Sequence, residues 1–141
     1  MEMREILFRG KRVDNGERVY GTYGRHTSFD AMIIDRPYLD SNGDLTALNF
    51  WTVNPETVGQ FTGLTDKNGV KIFEGDIVAY NKEYGGETRE KGTVYWCDGA
   101  FGVENVQDEE DCGLLGALVK YQLEIIGNIH DNPGLLEGVT Q

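Results

Sequence analysis

Cysteine, histidine and serine are scarce in this chain of 141 residues, and each scarcity excludes a class of chemistry. Two cysteines and two histidines, with no Cys-x-x-Cys pair, are too few and too scattered to supply the four ligands of a structural zinc site. Neither Ser28 nor Ser41 lies in the Gly-x-Ser-x-Gly turn of a serine hydrolase. Both common glycine-rich phosphate loops are missing as well. The sequence therefore assigns no catalytic residue, no cofactor and no metal site.

Long hydrophobic runs are also missing. No apolar segment approaches the roughly 20 residues that span a bilayer. The start of the chain, MEMREILFRG, lacks the apolar core of a secretory signal. We therefore expect a cytoplasmic protein with no membrane partner. In that compartment Cys97 and Cys112 are expected to be reduced and buried, with a single disulfide as the alternative.

Glycine is abundant, with 19 copies against three prolines, and it sits mostly beside Asn, Asp or Glu. That pattern is typical of tight turns between short strands and not of a flexible linker. The pairs Asn15-Gly16 and Asn68-Gly69 favour the positive φ angles of hairpin turns. The pair Asn54-Pro55 predicts the start of a helix of about one turn.

Short runs of β-branched and aromatic residues between these turns predict a mainly β fold, with strands expected at residues 4–9, 18–23 and 45–53 and an apolar run at residues 31–34. Residues 1–60 are predicted to form a hairpin-rich N-terminal β region. In residues 61–141 the order GDIV, GTVYW, GAFGV and LEIIGNI is the one expected of a small SH3-like barrel, as a fold-level analogy. We expect both regions to form one compact unit with one or two very short helices. A hydrophobic fraction of 39% is sufficient for its core.

Negative charge dominates, because the chain has 24 acidic and 13 basic side chains and so carries a net charge of −11. The distribution is uneven. Residues 1–25 carry six basic and four acidic side chains, so this end has a net charge of +2 and the remaining residues sum to −13. A solvated surface is the simplest explanation, and attraction between the opposite ends of two subunits is the alternative.

The spacing Asp40-x-Asn42-x-Asp44 matches the first three ligands of an EF-hand calcium loop. The match fails at the sixth position, where Leu45 replaces the required glycine, and at the twelfth, where Trp51 replaces glutamate. A hairpin turn is therefore the better explanation of this segment.

His130 and Asp131 form an adjacent imidazole and carboxylate, a pair that can act as a general base or hold a metal in a hydrolase. The pair follows an apolar strand and precedes Asn132-Pro133, where Asp or Asn favours closure of a short C-terminal turn. We favour the turn and keep a metal-dependent hydrolase as the weaker alternative. His26 stands in a polar segment with no partner near it in the sequence.

The N-terminal hairpin mixes cations with aromatic side chains, a combination that holds single-stranded nucleic acid through stacking and phosphate contacts. Its members are Arg4, Phe8, Arg9, Lys11, Arg12, Arg18, Tyr20, Tyr23 and Arg25. The negative charge of the remaining chain opposes phosphate binding, so nucleic acid is an unfavoured but open partner. The acidic segment 104–111 is a second candidate surface, and mimicry of nucleic acid by carboxylates is a further alternative.

Five segments, in order, carry a resemblance to a known family. They are residues 4–11 (REILFRGK), 19–21 (VYG), 54–63 (NPETVGQFTG), 66–78 (DKNGVKIFEGDIV) and 126–133 (IGNIHDNP). These look like successive signatures of the YopX-like family of phage and prophage proteins, and they span almost the whole chain. Residues 81–91 and 104–120 match nothing in the family's pattern. Gly134 stands where the family often has a helix-favouring acidic residue.

The resemblance implies a phage or prophage source, a mainly β fold and a place in the cytoplasm of a bacterial host. It transfers no catalytic residue, because the family has no established activity. The polar and glycine positions of its blocks are explained as architecture, through side-chain hydrogen bonds, unusual φ angles or close backbone approach. These positions are Thr57, Thr62, Asp76, Gly63, Gly69, Gly75 and Gly127.

We therefore predict a phage or prophage accessory protein that acts by binding, with no enzymatic activity. Aromatic residues and arginine are common interface anchors, and together with the opposed charges of the two ends they favour a homo-oligomer. A host or phage protein is the second kind of partner expected. The alternatives are a nucleic-acid-binding protein that uses the N-terminal hairpin and, with less support, a metal-dependent hydrolase.

Overall fold

The computed structural model of the protein describes residues 3–26, 29–105 and 112–137. Within these residues it contains eleven strands. They are β1 (Phe8–Lys11), β2 (Arg18–His26), β3 (Phe29–Leu39), β4 (Leu45–Thr52), β5 (Gly59–Thr65), β6 (Lys71–Phe73), β7 (Asp76–Asn81), β8 (Arg89–Cys97), β9 (Ala100–Asn105), β10 (Cys112–Leu114) and β11 (Glu124–Asn128).

Helical structure in the described residues is confined to four short pieces. They are a 3-10 helix at Pro55–Thr57, helix α1 at Leu115–Leu118, a second 3-10 helix at Val119–Tyr121, and helix α2 at Gly134–Glu137. The first begins where Asn54-Pro55 predicted a helix of about one turn, and the Asn54 side chain accepts a hydrogen bond from the Glu56 N–H. The predicted mainly β fold with very short helices is confirmed.

The chain divides into two compact units, Met1–Phe61 and Thr62–Gln141. In the first unit the strands are hydrogen-bonded in the order β4-β3-β2-β1-β5, and all neighbours are antiparallel. Strand β5 crosses the boundary, and β6 follows it in the order of the sheet. In the second unit the order is β10-β9-β8-β7-β11, again antiparallel throughout.

The SH3-like barrel predicted for residues 61–141 is not confirmed, because the described strands of the second unit do not close on themselves. Strands β10 and β11 lie at opposite ends of the five-stranded order. The chain between them is helical, and Leu115 of α1 is completely buried in the core of this unit. Helical side chains therefore cover the part of the core that a closing pair of strands would cover in a barrel.

Each unit has its own hydrophobic core. In the first unit the centre is formed by three completely buried residues, Ala31, Ile33 and Val53. Phe8, Val19, Tyr23, Trp51 and Val58 pack around them. In the second unit the buried cluster consists of Ile72, Val78, Tyr80, Val94, Val103, Leu115 and Leu123. Since the core residues of β3 lie at alternate positions, one face of that strand points inward and the other outward.

The segment with EF-hand-like spacing is the turn between β3 and β4. One carboxylate oxygen of Asp40, Oδ1, accepts the N–H groups of Asn42 and Asp44 at 2.9 and 3.0 Å. The Asp40 N–H in turn donates to the carbonyl of Asp44 at 2.9 Å, and Gly43 adopts a φ of 82°. The predicted hairpin turn is confirmed, and the Asp40 side chain closes it by accepting hydrogen bonds from the Asn42 and Asp44 N–H groups.

Strand boundaries differ from the sequence expectation in two places. The strand expected at residues 4–9 begins only at Phe8. The apolar run at residues 31–34 belongs to a much longer strand, Phe29–Leu39, which continues through Asp35, Arg36 and Pro37. Polar residues and proline hide this extension in the sequence. It forms because β4 supplies a paired partner from Thr52 back to Leu45.

Candidate functional site

The 61–78 block is architectural, as its residue types predicted. The buried carboxylate of Asp76 accepts the Phe73 N–H at 2.8 Å. The Thr62 hydroxyl donates to the Ile72 carbonyl at 2.8 Å. Upstream of the block, the Thr57 hydroxyl accepts the Lys11 N–H at 2.8 Å. Each of these side chains closes a turn or links two strands.

The four glycines singled out with that block are also structural. Gly63, Gly69 and Gly75 have φ angles of 88°, 81° and 90°, a region that side chains rarely adopt. Gly127 is required for space, because a Cβ atom there would lie 2.7 Å from the Leu135 Cδ1 atom. None of these positions presents a reactive group.

The basic and aromatic residues of the N-terminal hairpin do not form one exposed stacking surface. Phe8 and Tyr23 pack against the core of the first unit with ring centroids 5.6 Å apart. Arg9 is buried, with 7% of its surface exposed. Tyr20 is the aromatic side chain of this set that is exposed, at 46%. Phe8, Arg9 and Tyr23 are therefore packed inside the first unit, whereas Tyr20 is exposed to solvent, and these residues do not share one surface.

Arg12 in the same hairpin is engaged by carboxylates. Its guanidinium donates to Asp14 at 2.6 Å and lies 3.8 Å from Glu17. The hydrogen bond from Arg12 lowers the pKa of Asp14, and the same bond raises the pKa of Arg12. The positive charge of Arg12 is therefore partly neutralised within its own turn.

His130 and Asp131 lie in a turn organised by Asn128. The Asn128 Oδ1 atom accepts the N–H groups of His130 and Asp131, both at 2.9 Å, and its Nδ2 donates to the Asp131 carboxylate at 3.0 Å. Both residues are exposed. The geometry is that of a side-chain-closed turn before α2, which agrees with the favoured interpretation of this segment. Within residues 3–26, 29–105 and 112–137, no group of three or more His, Cys, Asp or Glu side chains is placed to hold a metal ion.

Two further candidates fall partly outside the described residues. Of the acidic segment 104–111, the structure describes Glu104 and Asn105 at the end of β9. The remaining residues of the segment, like the side chains of His26 and Cys112, lie outside the description. The half-buried Cys97 thiol lies 3.8 Å from the Asp98 carboxylate.

A buried polar cluster joins three strands of the second unit. The Asn105 Nδ2 atom donates to the Tyr80 hydroxyl at 3.1 Å and to the Glu90 carboxylate at 2.6 Å. The second oxygen of that carboxylate lies 3.9 Å from the Lys82 ammonium. Because these groups satisfy one another, the cluster fits a structural role.

The β3–β4 hairpin of the first unit exposes a group of apolar side chains. Five large apolar side chains of this hairpin are at least 47% exposed. They are Tyr38 (47%), Leu39 (68%), Leu45 (75%), Leu48 (57%) and Phe50 (63%). Apolar side chains exposed singly are ordinary, but a contiguous group on one element marks an interaction surface.

Two of these residues, Leu45 and Phe50, line a groove on the hairpin, which we call the hairpin groove. Its volume is about 280 Å³. It is lined by Met32, Ile34, Pro37, Leu45, Thr46, Ala47 and Phe50. The Thr46 hydroxyl is the one polar side-chain group in this lining, and no titratable group contributes to it. The hairpin groove can therefore hold apolar side chains, and it offers no group for acid–base or metal chemistry.

Arg36 shapes the hairpin groove through its backbone. Its φ angle is 51°, in the left-handed region, within a strand that otherwise keeps its register: Asp35 pairs with Asn49 and Pro37 with Ala47. Side chains alternate between the two faces of a sheet along a strand. One residue with an unusual backbone conformation can therefore make the side chains after it point to the opposite face from the one that simple alternation predicts. Before Arg36 the groove is lined from even positions of β3, such as Ile34, and after it from the odd position of Pro37. The apolar lining continues across the irregularity as a result.

Sequence reasoning missed this surface because its residues do not form a recognisable motif. The segment Leu45 to Val53 was expected as a strand with bulky side chains, which is close to the observed β4. What the sequence did not reveal is that β4 is the end strand of the sheet, with β3 as its neighbour among the described strands. The complete lack of charge between Leu45 and Thr52 was the available signal.

The fold and the groove together define an antiparallel β protein of two compact units, the first of which carries an apolar and uncharged groove. Comparison with family models then matches residues 8–137 to the YopX protein family, and the chain belongs to that family. The resemblance carried by the five sequence segments is thereby confirmed.

A solved structure has a similar fold. The chain is 29% identical to protein EF1440 from Enterococcus faecalis, and the crystal structure of that protein matches with a TM-score of 0.64. The match covers 95% of this chain and 99% of the other. No curated protein sequence matches the chain. In the described residues, no helix is long and apolar enough to cross a membrane.

Proposed function

We propose that the protein is a phage or prophage accessory protein that works in the bacterial cytoplasm as a non-enzymatic binding module, assembled as a homo-oligomer. The observation that supports this proposal is the uncharged apolar surface of the β3–β4 hairpin, with its groove of about 280 Å³. An exposed surface of this kind is characteristic of protein–protein contacts. Its lack of titratable side chains favours binding over catalysis.

The energetic argument concerns the exposed fractions of Leu45, Leu48 and Phe50, which lie between 57% and 75%. Burying the exposed part of each such side chain is worth about 1 to 2 kcal/mol. A symmetric contact buries every residue twice, once in each copy. That gain competes with an association cost of roughly 4 to 15 kcal/mol, so the expected assembly is of moderate affinity and depends on protein concentration.

The test is a measurement of molar mass by light scattering during size-exclusion chromatography, over a wide range of protein concentration. We expect the wild-type protein to exceed the mass of one chain, 15.8 kDa, and to dissociate on dilution. Leu48→Lys places a charge on the exposed edge of β4 and should shift the protein toward the monomer. Val70→Lys is the matched control, since Val70 is similarly exposed, at 52%, but belongs to a turn of the second unit.

Three outcomes would count against the proposal. A wild-type protein that remains monomeric at every concentration removes the homo-oligomer. Equal effects of Leu48→Lys and Val70→Lys remove the hairpin from the contact. Binding of a labelled oligonucleotide at low salt, lost in Tyr20→Ala, would instead favour the nucleic-acid alternative, because Tyr20 is the exposed aromatic residue of the N-terminal set.

A further inference from the structure

The edge strands of the sheets differ in how well they are protected against pairing with another chain. Strands β6 and β10 have three residues each, and β6 carries Lys71. Strand β11 is met by a neighbouring turn, since the Lys67 N–H donates to the carbonyl of Leu123 at 2.9 Å and the Ile125 N–H donates to Asp66 at 3.1 Å. Shortness, charge and covering loops are the usual protections of an edge.

Strand β4 lacks these protections over most of its length. It has eight residues, LTALNFWT, with no charged residue and no proline. Its end is covered, because the Val13 N–H donates to the Thr52 carbonyl at 3.1 Å. The segment 45–50 is left as an open, apolar and uncharged edge, and among the described edge strands it is the longest such stretch.

We infer that the occupant of this edge is β4 of a second copy of the chain, paired antiparallel about a two-fold axis at Ala47. The inference rests on the proposed assembly as a homo-oligomer and specifies its interface. An edge strand next to an apolar groove is the arrangement used in β-augmentation: main-chain hydrogen bonds supply affinity and the groove receives side chains of the added strand.

Charge is the first reason to choose a second copy as the occupant. Two chains that each carry a net charge of −11 repel one another over most of their surface. Like charges placed directly opposite each other in a sheet are destabilising. Pairing along residues 45–50 brings no charged side chain of one β4 strand opposite a charged side chain of the other. This stretch is therefore an edge at which two acidic copies can meet.

Self-complementarity is the second reason. In a two-fold contact, residue i of one copy meets residue j of the other and the reverse, so the same strand must serve as both surface and ligand. Strand β4 meets both requirements, because it is extended, apolar at Leu45, Leu48 and Phe50, and uncharged. Pairing would join the two hairpin grooves across four strands, β3-β4 of one copy and β4-β3 of the other.

The geometry of this pairing can be tested with single cysteines. Ala47, at the centre of the two-fold pair, meets its own copy, with Cβ atoms about 5 Å apart. Leu45 would instead lie opposite residue 49 of the second copy, so the two Leu45 residues are about 14 Å apart at 3.4 Å per residue. Leu48 would lie opposite residue 46, which leaves the two Leu48 residues roughly 7 to 8 Å apart on a diagonal, beyond the usual reach of a disulfide.

The experiment uses the full chain with Cys97 and Cys112 replaced by serine, checked for wild-type circular dichroism. Ala47→Cys, Leu48→Cys, Leu45→Cys and Val70→Cys are then oxidised separately and resolved on a non-reducing gel. We expect covalent dimers from the variant at 47, and monomers from those at 45, 48 and 70. Adding Leu48→Lys to the Ala47→Cys variant should abolish its crosslink.

A second measurement uses the unmodified protein. Hydrogen exchange of residues 45–50 should slow as protein concentration rises, whereas exchange at residues 66–70 should not change. If light scattering shows an oligomer but neither the crosslink at 47 nor this protection appears, the β4 pairing is wrong and the homo-oligomer stands. A monomer at all concentrations overturns both. Crosslinking at 45 and 70 as strong as at 47 also rejects the pairing.

Discussion

The Asp66 carboxylate accepts a hydrogen bond from the backbone N–H of Ile125, 59 residues further along the chain, at 3.1 Å. Its other oxygen accepts the N–H groups of Asn68 and Val70 at 2.8 and 3.0 Å, which closes the turn before β6. One buried side chain, with 6% of its surface exposed, thus builds a local turn and ties it to the last strand of the second unit. Hydrogen bonds of this kind stabilise the conformation of the 61–78 block.

Replacing Asp66 by alanine should therefore destabilise the protein by about 2 to 4 kcal/mol, because three backbone N–H groups lose their acceptor. Denaturant unfolding measures the loss, and hydrogen exchange should show faster exchange at Asn68, Val70 and Ile125. Asp44→Ala is the control, since Asp44 is exposed in the Asn42-Gly43 turn and should change stability by less than about 0.5 kcal/mol. Equal effects of the two substitutions would contradict the assigned role of Asp66.

Gly127 is predicted to be intolerant of a side chain. A Cβ atom there would lie 2.7 Å from both the Asn132 Oδ1 and Leu135 Cδ1 atoms, so Gly127→Ala should cost about 1 to 3 kcal/mol through overpacking. Gly116→Ala is the matched control, because Gly116 lies in α1 with open space around its Cα. Alanine there should leave stability unchanged or raise it by up to about 1 kcal/mol. Thermal unfolding of both variants distinguishes a steric effect from a general effect of losing glycine.

Arg36 is predicted to be sensitive to branching at Cβ. Its φ of 51° is strained for most side chains and worst for β-branched ones, whereas asparagine tolerates it. Arg36→Val should therefore destabilise the protein by about 1 to 3 kcal/mol, and Arg36→Asn should be close to neutral. Because the same residue exchanges the faces of β3, Arg36→Val should also reduce binding of an apolar fluorescent dye to the hairpin groove. A Val variant as stable as the Asn variant would show that the left-handed conformation is not required.

The pair Lys67–Glu124 predicts a pH effect of defined sign. The Lys67 ammonium donates to the Glu124 carboxylate at 2.8 Å and lowers the pKa of Glu124 below its ordinary value of 4.5. A group whose pKa is depressed by folding stabilises the folded state above its unfolded pKa, and the contribution is lost as pH falls through the folded pKa. Lys67→Met should raise the Glu124 pKa in an NMR titration.

Two controls accompany that titration. Lys82→Met should leave the Glu124 pKa unchanged, because Lys82 lies beside Glu90. High salt should reduce the difference between wild type and Lys67→Met, since the pair is partly exposed to solvent and is screened. A Glu124 pKa that does not respond to Lys67→Met would remove the ion pair as the cause.

Features governed by neighbours in the chain could be predicted from residue types. The Asn-Gly turns, the one-turn helix after Asn54 and the mainly β fold depend on local φ preferences and on alternation. The structural roles of Thr62, Asp76 and Gly127 could also be anticipated, because short polar side chains and glycine have few functions in turns. Barrel closure could not, since it depends on which distant strands meet.

The candidate surface also combines a feature that the sequence shows with a feature that only distant contacts determine. An uncharged stretch from Leu45 to Thr52 is visible in the sequence, but a buried central strand and an open edge strand have the same composition. Likewise, the basic and aromatic N-terminal residues looked like one surface until the fold buried Arg9 and packed Phe8 and Tyr23 into a core. Exposure is set by the order of strands, which is a property of contacts between distant residues.

By itself, the sequence determined that this is a YopX-family protein with Asn-Gly hairpins and a largely structural 61–78 block, because these features depend on residue identity and short-range backbone preference. Tertiary structure alone decided that β4 lies at a sheet edge, that Arg36 turns the apolar faces of the hairpin into one groove, and that Asp66 reaches Ile125. Those outcomes depend on long-range pairing, which places a strand at an edge or in the centre of a sheet regardless of its local pattern.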